Sequence, residues 1–234
     1  MDDAPRPAHL PKPADRRAEI SLAYDQWAGR YDADENLTRD LDARVLRRTG
    51  LDVDGRDVLE LGCGTAKNTM WLAERARHVV GMDFSPGMLG VARSRVASDN
   101  VEFLEHDVQS TWPIKDACFD FVIGNLVLEH VHELAPVFAE ARRVLRPDGT
   151  LFVCELHPYR QLRGGQAHFT GPSGETVYVS AYVHSASDYV NAGIGAGLAL
   201  RRMDEWRDEP RADRADRDVP RLISLRLVKP GSGR

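Results

Sequence analysis

Short apolar runs alternate with helical patterns from residue 57 onward, and this alternation limits the fold more than any other feature. The strand-like runs are DVLELG, HVVGMDFS, VEFLEHD, FDFVIGN and TLFVCEL. The intervening segment LAPVFAEARRVL repeats apolar residues at three- and four-residue steps, which is typical of an amphipathic helix. The pattern predicts a Rossmann-like, doubly wound α/β fold, mostly parallel, with helices on both faces of the sheet. The closing runs LALRRMDEW and RLISLRLVKP predict two more strands, of which the final one is antiparallel.

Three segments flank or interrupt this core. Residues 1–17 are rich in proline and charge and predict a disordered tail, followed by a single domain over residues 18–234. Residues 18–50 predict a helical cap, because Ile20 and Tyr24 begin a helical period that continues to Tyr31. The glycine-rich residues 157–182 are longer than a simple crossover and predict a substrate lid or an added hairpin.

Composition sets the expected environment and partners. The net charge of −5 argues against a nucleic-acid partner, since such proteins usually carry a basic face. Cys63, Cys118 and Cys154 are widely spaced, which fits neither a disulfide framework nor a zinc pattern and predicts a reducing cytoplasmic location. The uncharged stretch YVNAGIGAGLAL is too short to span a bilayer, so no membrane is expected. A homodimer is left open.

The glycine turn in VLELGCGTAKNT has several candidate functions. A phosphate-binding P-loop needs a Gly-Lys pair, and the chain contains none. A dinucleotide fingerprint would place its third glycine at Lys67, and a plain turn remains open. Asp83 after the second strand is either a ribose ligand or a charge at a helix start. Asp107 after the third strand is either an adenine ligand or another helix-start residue. Together these features indicate an adenosine-containing ligand.

Five motifs in order resemble the class I S-adenosylmethionine-dependent methyltransferases: VLELGCGTAKNT, VVGMDFSPGML, EHDV, FDFVIGNLVLEHV and RRVLRPDGTLFVCEL. The resemblance covers residues 24 to 156 and implies S-adenosyl-L-methionine as the cofactor. It implies a cofactor site made of Tyr31, Gly62, Cys63, Gly64, Asn68, Asp83, Phe84, Met88, Asp107, Val108 and Asn125. The alternatives are that Asn68 caps a helix and that Phe84 and Met88 are ordinary core residues. Ala66 replaces the family's usual third glycine, which matters only if that position needs a positive φ.

Candidate catalytic residues follow the fourth and fifth strands. His130 and His157 are alternatives for a general base, and a structural histidine at a helix start is the other interpretation of His130. The substrate side is expected to include Tyr24, Trp27, Tyr159 and His168. The Glu-His pair resembles one in the quinone-pathway O-methyltransferases, where an upstream acidic residue joins it around a divalent metal. Asn125 occupies the position of that acid here, so no metal is expected. His184 and Asp188 either pair or cap the next helix, and GIGAG at 193–197 is interpreted as a helix end.

These observations predict a methyltransferase that transfers a methyl group to an O or N atom of a small-molecule metabolite or natural-product intermediate, and transfer to a carbon atom is left open. A nicotinamide-dependent dehydrogenase would use the same fold, and binding of NAD would support it. A non-catalytic cofactor-binding subunit is a second alternative. Methylation of a macromolecule would call for a basic groove, which the acidic balance disfavours.

Overall fold

The computed structural model describes residues 13–33, 36–208 and 219–231, with backbone alone for residues 13–15. The helices are α1 (Pro13–Trp27), α2 (Leu37–Arg48), α3 (Lys67–Ala73), α4 (Pro86–Arg95), α5 (Leu134–Val144), α6 (Pro158–Leu162) and α7 (Ala186–Gly195), with a 3₁₀ turn at Leu128–His130. The strands are β1 (Asp57–Leu61), β2 (His78–Asp83), β3 (Val101–Glu105), β4 (Phe119–Asn125), β5 (Leu145–Leu156), β6 (His168–Thr170), β7 (Thr176–Tyr178), β8 (Ala199–Trp206) and β9 (Leu222–Val228).

Seven strands form one sheet in the order β3-β2-β1-β4-β5-β9-β8. Strands β1 to β5 are parallel, and β9 runs antiparallel to both of its neighbours. The predicted Rossmann-like fold with an antiparallel final strand is therefore confirmed. The strand order reverses beside β1, between β2 and β4, which is where ligands bind in sheets of this kind.

Both faces of the sheet are covered by apolar side chains. One core cluster includes Val122 and Phe138 and extends to Leu225, while the other includes Leu46 and Phe152. Because the central strands are buried on both faces, they appear in the sequence as continuous apolar runs rather than as alternating ones. Helix α5 buries the apolar face that its sequence period predicts.

Two predicted boundaries were wrong. Helix α1 begins at Pro13, inside the predicted tail, and Arg17 on its second turn pairs with Asp107 and so ties that turn to the domain. Residues 1–12 of that tail lie outside the described residues. Strand β5 begins at Leu145 because Leu145 already pairs with Phe119, before an irregularity restores regular pairing.

The cap and the 157–182 segment pack on each other. Strands β6 and β7 form a separate two-stranded hairpin. An added hairpin was one of the two alternatives that the sequence left for this segment. Its Phe169 stacks on Trp27 of α1, with ring centroids 5.1 Å apart. Asp25 of α1 accepts hydrogen bonds from the Ser85 hydroxyl at 2.6 Å and the Gly87 amide at 2.9 Å, which fastens the cap to the start of α4.

The C-terminal third contains the second glycine-rich motif. Helix α7 ends at Gly195, so GIGAG forms a helix end, as predicted. Gly197 follows with a φ of 77°, a conformation that glycine adopts without strain. Of the described helices, none combines the length and the apolar character needed to cross a membrane.

Candidate active site

A cleft opens beyond the carboxyl ends of β1, β2 and β4, at the reversal of strand order. It encloses about 1000 Å³ of empty space, including the part open to solvent. All eleven residues predicted for the cofactor line it: Tyr31, Gly62, Cys63, Gly64, Asn68, Asp83, Phe84, Met88, Asp107, Val108 and Asn125. The residues that the sequence assigned to one ligand are thus brought together in one place.

The glycine turn bends with positive φ angles. Gly62 has a φ of 64° and Gly64 one of 52°. A Cβ atom at Gly62 would lie 2.6 Å from Cγ2 of Val127, so a larger residue would not fit there. Ala66 also has a positive φ, 67°, and is fully buried. This position therefore does require the conformation that favours glycine, and the alanine is held in a strained one.

Asp83 organises the turn from within. Its Oδ2 atom accepts a hydrogen bond from the Gly64 amide at 2.8 Å, and its Oδ1 accepts one from the Ser85 amide at 2.9 Å. Burial raises the pKa of Asp83, and these amide hydrogen bonds oppose the rise. The carboxylate therefore fixes the glycine turn and the start of α4 while it faces the cleft.

Asp107 is held from two sides. It pairs with Arg17 of α1 and accepts a hydrogen bond from the Gln109 amide at 2.8 Å. Helix α1 therefore reaches over this side of the cleft. No helix begins between β3 and β4, so the helix-start alternative for Asp107 does not hold, and its role as an adenine ligand stays a prediction.

A buried polar cluster joins the cap to the cleft, and the sequence did not predict it. Asn68 donates a hydrogen bond from Nδ2 to Oδ2 of Asp42 at 3.1 Å, and Asn125 donates to Oδ1 of the same carboxylate. Burial raises the pKa of Asp42, while the two amides oppose the rise. Asn68 does not cap α3, whose N-cap is Ala66. The Oδ1 atoms of Asn68 and Asn125 are buried and have no donor among the described residues.

Glu60 lies beneath the glycine turn. Its Oε2 atom accepts a hydrogen bond from the Thr69 hydroxyl at 2.5 Å, and both side chains are buried. Burial raises the pKa of Glu60 to about 8, despite the hydrogen bond from Thr69. This carboxyl group is therefore mostly protonated at neutral pH, at the floor of the cleft.

His130 hydrogen-bonds to Tyr24 of the cap. The distance from Nε2 of His130 to the Tyr24 hydroxyl is 2.7 Å, and the Nδ1 atom lies 2.9 Å from the Ser180 carbonyl oxygen. A carbonyl only accepts hydrogen bonds, so Nδ1 carries a proton and Nε2 of the neutral ring accepts from the phenol. Glu129 places a carboxylate oxygen 3.8 Å from Nε2. Burial raises the pKa of the Tyr24 phenol well above its ordinary value.

A second, larger cavity adjoins the cleft. It encloses about 2290 Å³, including the part open to solvent, and shares four lining residues with the cleft: Tyr24, Tyr31, Arg39 and Leu126. The Arg39 guanidinium lies 4.0 Å from the ring centroid of Tyr31 and 5.3 Å from that of Trp27. Leu126 has a φ of 53°, and strain of this kind in a non-glycine residue is concentrated at functional sites.

The predicted substrate and catalytic residues divide between these spaces and the surface. Tyr24, Trp27 and His168 line the second cavity. His157 lies outside both spaces, because its Nε2 faces Glu205 of β8 at 3.2 Å while its Nδ1 accepts from the Tyr159 amide. Tyr159 also lies outside them and is 47% exposed.

The hydrogen bonds of His184 and Asp188 decide between the two alternatives predicted for this pair. Asp188 forms a reciprocal capping box with Ser185 at the start of α7. His184 is directed elsewhere, with its Nε2 atom 2.7 Å from the Val131 carbonyl oxygen. The capping alternative therefore describes Asp188.

The cleft also has charged lining residues that the sequence did not predict, among them Arg39, Asp42 and Glu60. Glu60 lies within the motif VLELGCGTAKNT, where a charged residue in an otherwise apolar strand could have indicated a site residue. Asp42 and Arg39 lie on α2, and both are nearly buried at 3% and 8% exposure. Polar side chains at the buried positions of an amphipathic helix are the signal that would have found them.

Comparisons with known proteins agree with this geometry. Residues 59–153 match a family model described as a methyltransferase domain. A malonyl-[acyl-carrier protein] O-methyltransferase of Serratia marcescens is 35% identical over 58% of this chain and 52% of its own length. The chain thus spans about half of that relative. A demethylmenaquinone methyltransferase of Clavibacter sepedonicus is 31% identical over 80% of each chain.

The fold has close counterparts among solved structures. An S-adenosylmethionine-dependent methyltransferase from Mesorhizobium loti superposes with a TM-score of 0.69 and 21% identity, over 82% of this chain and 100% of that one. A likeness at this identity concerns the fold alone, whereas the sequence relatives and the family model identify the family. The chain belongs to the class I S-adenosylmethionine-dependent methyltransferases.

Proposed function

We propose that this enzyme methylates an O or N atom of a small-molecule metabolite, with the cofactor in the cleft and the acceptor in the second cavity. The observation that carries the proposal is the hydrogen-bonded pair Tyr24–His130 at the junction of the two spaces. Tyr24 lines both spaces, and His130 lines the cleft. A methyl donor and an acceptor that occupied them would meet beside the Tyr24 hydroxyl.

The cleft residues fit the cofactor's functional groups. A Cβ atom at Gly62 would clash with Val127, so the turn that lines the cofactor's side of the cleft keeps its path only with glycine there. The buried oxygens of Asn68 and Asn125 lack donors among the described residues and would accept from the methionine ammonium group. Arg39 would attract the methionine carboxylate, and Asp83 would accept from the ribose hydroxyls. When bound, S-adenosylmethionine supplies a methyl group on a sulfonium, an electrophile that is already activated.

The Tyr24–His130 pair would remove the acceptor's proton. The acceptor's O–H or N–H proton moves to the Tyr24 hydroxyl oxygen while the phenolic proton passes to Nε2 of His130. The raised pKa of Tyr24 favours this concerted transfer over prior ionisation of the phenol. The imidazolium that forms lies beside the Glu129 carboxylate, which stabilises it.

The surrounding elements would exclude water. The β6–β7 hairpin contributes His168 and Phe169 to the second cavity and packs on the cap through Trp27. We assign it the role of the substrate lid. Enclosing a displacement reaction protects the donor from hydrolysis and holds the acceptor in line.

The names of the relatives agree on methyl transfer but differ in the methyl acceptor. One is named for malonyl-[acyl-carrier protein] and another for demethylmenaquinone, so relatives of similar identity act on different acceptors. Neither relative is named for a nucleic acid, although the first is named for a malonyl group on an acyl-carrier protein. A nicotinamide dehydrogenase is disfavoured by Lys67 in the sixth position of the glycine motif. A non-catalytic subunit would not need a hydrogen-bonded Tyr24–His130 pair at the junction of the two spaces.

A methyl-transfer screen tests the proposal. The protein is incubated with S-adenosylmethionine carrying a labelled methyl group and with panels of hydroxyl-bearing, amine-bearing and carbon-acid small molecules, and with bulk RNA. We expect label in a hydroxyl or amine product together with an equal amount of S-adenosylhomocysteine. Label in the RNA or only in the carbon acids, or transfer that persists unchanged in Tyr24→Phe, would contradict it.

A further inference from the structure

The second cavity has a strongly basic lining. Four arginine side chains contribute to its wall: Arg39, Arg160, Arg163 and Arg221. Among the lining residues that the structure describes, Glu129 is the only carboxylate. It is 5% exposed, and its Oε2 accepts a hydrogen bond from the Gln161 amide at 3.2 Å. The lining therefore holds more guanidinium groups than carboxylates, although Asp208 pairs with two of them, Arg160 and Arg221.

Two of these guanidinium groups are held in place by their surroundings. Arg221 makes a two-point contact with Asp208, at 2.6 Å from each nitrogen. Arg160 donates to the carbonyl oxygens of Pro220 and Val219 at 3.1 and 3.3 Å. Their side chains are only 12% and 16% exposed. Positions fixed before binding reduce the entropy that a ligand must overcome.

Arg163 is the exposed member of the group. It follows the last residue of α6, and its guanidinium lies 5.8 Å from the ring centroid of Tyr159. No carboxylate among the described residues forms an ion pair with it. Gly164 follows with a φ of 87°, which turns the chain back along the cavity wall. A cation in this position is available to a ligand.

We propose that the methyl acceptor is an anion whose carboxylate or phosphate group binds at Arg163, with Arg160 and Arg221 beside it. Its nucleophilic atom then reaches Tyr24, which lines both the cavity and the cleft. Guanidinium groups suit both anions because their paired N–H donors match two oxygens at once. A cationic acceptor would be repelled by the same wall. This inference rests on the proposed function, since it assigns the second cavity to the acceptor.

Matched probes test the charge preference directly. With S-adenosylhomocysteine saturating, calorimetry measures the binding of 4-hydroxyphenylacetate, its neutral amide and phenyl phosphate. We expect at least one anion to bind at least about tenfold more tightly than the amide, which corresponds to about 1.4 kcal/mol. The ratio of carboxylate to phosphate affinity separates the two sources of the charge. Equal affinity for anion and amide, or no anion binding at millimolar concentration, would overturn the proposal.

Substitutions of Arg163 test where the anionic group of the acceptor binds. Arg163→Gln is expected to weaken anion binding about tenfold, Arg163→Lys to restore part of it, and the affinity for S-adenosylhomocysteine to stay unchanged. Arg201→Gln on exposed β8, outside the cavity, is the matched control and should alter neither. Anion binding that is unaffected by Arg163→Gln would contradict the assignment. Failure of S-adenosylhomocysteine itself to bind would instead refute the proposed function, so the two failures are distinguishable.

Discussion

The hydroxyl of Tyr24 lies 2.7 Å from Nε2 of His130 and joins the N-terminal cap to the 3₁₀ turn that follows β4. The two rings meet edge to face, with centroids 5.3 Å apart. The Ser180 carbonyl fixes the tautomer that leaves Nε2 as the acceptor. The pair is thus ordered before any substrate enters, which is the arrangement that a proton relay requires.

Tyr24→Phe removes the relay and keeps the ring. We expect kcat for an acceptor found in the methyl-transfer screen to fall about 100-fold, the usual scale of a positioned acid–base group. The affinity for S-adenosylhomocysteine should stay the same, because the ring still covers the cleft. Tyr159→Phe, outside both cavities, is the matched control and should keep full activity. A kcat for Tyr24→Phe within twofold of the parent would rule out the relay.

The same substitution has a cost in stability. Phenylalanine leaves the buried Nε2 atom of His130 without its donor, and an unsatisfied buried acceptor costs about 1 kcal/mol or somewhat more. Urea unfolding of Tyr24→Phe should show this loss in the free energy of unfolding. Unchanged stability would mean that water replaces the phenol, and that the pair is less enclosed than its burial indicates.

Ala66→Gly should relieve strain in the glycine turn. An L-residue in the left-handed region costs about 1–2 kcal/mol, and glycine's greater freedom in the unfolded chain offsets part of the gain. We therefore expect the free energy of unfolding to rise by about 0.5–1 kcal/mol. The comparison is Ala73→Gly in the last turn of α3, which should be destabilising by about as much. If both variants lost stability equally, Ala66 would not be strained.

Glu60 gives the fold a pH dependence of known sign. Its pKa rises on folding from an ordinary value near 4.5 to about 8, so the folded state binds the proton more tightly. Its contribution to stability is complete below the unfolded pKa and is lost as the pH rises through the folded value. The free energy of unfolding should therefore fall between about pH 5 and 8, by up to about 1.4 kcal/mol per pH unit from this group.

Glu60→Gln isolates that contribution. The variant should show a flatter pH profile than the parent over the same window in urea titrations. Glu102→Gln, at an exposed position on β3, should keep the parent profile. Parallel profiles for Glu60→Gln and the parent would show that Glu60 ionises normally in the folded protein.

Most of the sheet and the cofactor cleft could be predicted from the sequence, because both depend on local signals. Apolar runs bounded by glycine mark buried parallel strands, and parallel strands carry their following residues to one edge. Gly62 follows β1 and Asp83 is the last residue of β2, which is enough to place them together although they are separated in the chain.

The parts that could not be predicted depend on how the cap docks. Tyr24 and His130 come from elements with no sequence signal that couples them, and their contact exists only through tertiary packing. Arg17 was assigned to the tail because proline and charge dominate its neighbourhood, whereas its pairing with Asp107 decides its structure. His157 follows a strand as a catalytic residue would, but α6 and β8 turn it towards Glu205.

Calorimetric titration of S-adenosylmethionine, S-adenosylhomocysteine and NAD tests the central claim most directly. The parent protein should bind the first two and not NAD. Asp83→Asn should weaken binding of both at least about tenfold, because an amide offers an N–H where the Gly64 amide and a ribose hydroxyl need an acceptor. Asp99→Asn, exposed just before β3, should bind like the parent. Binding of NAD in preference to S-adenosylmethionine, or full affinity in Asp83→Asn, would contradict the account.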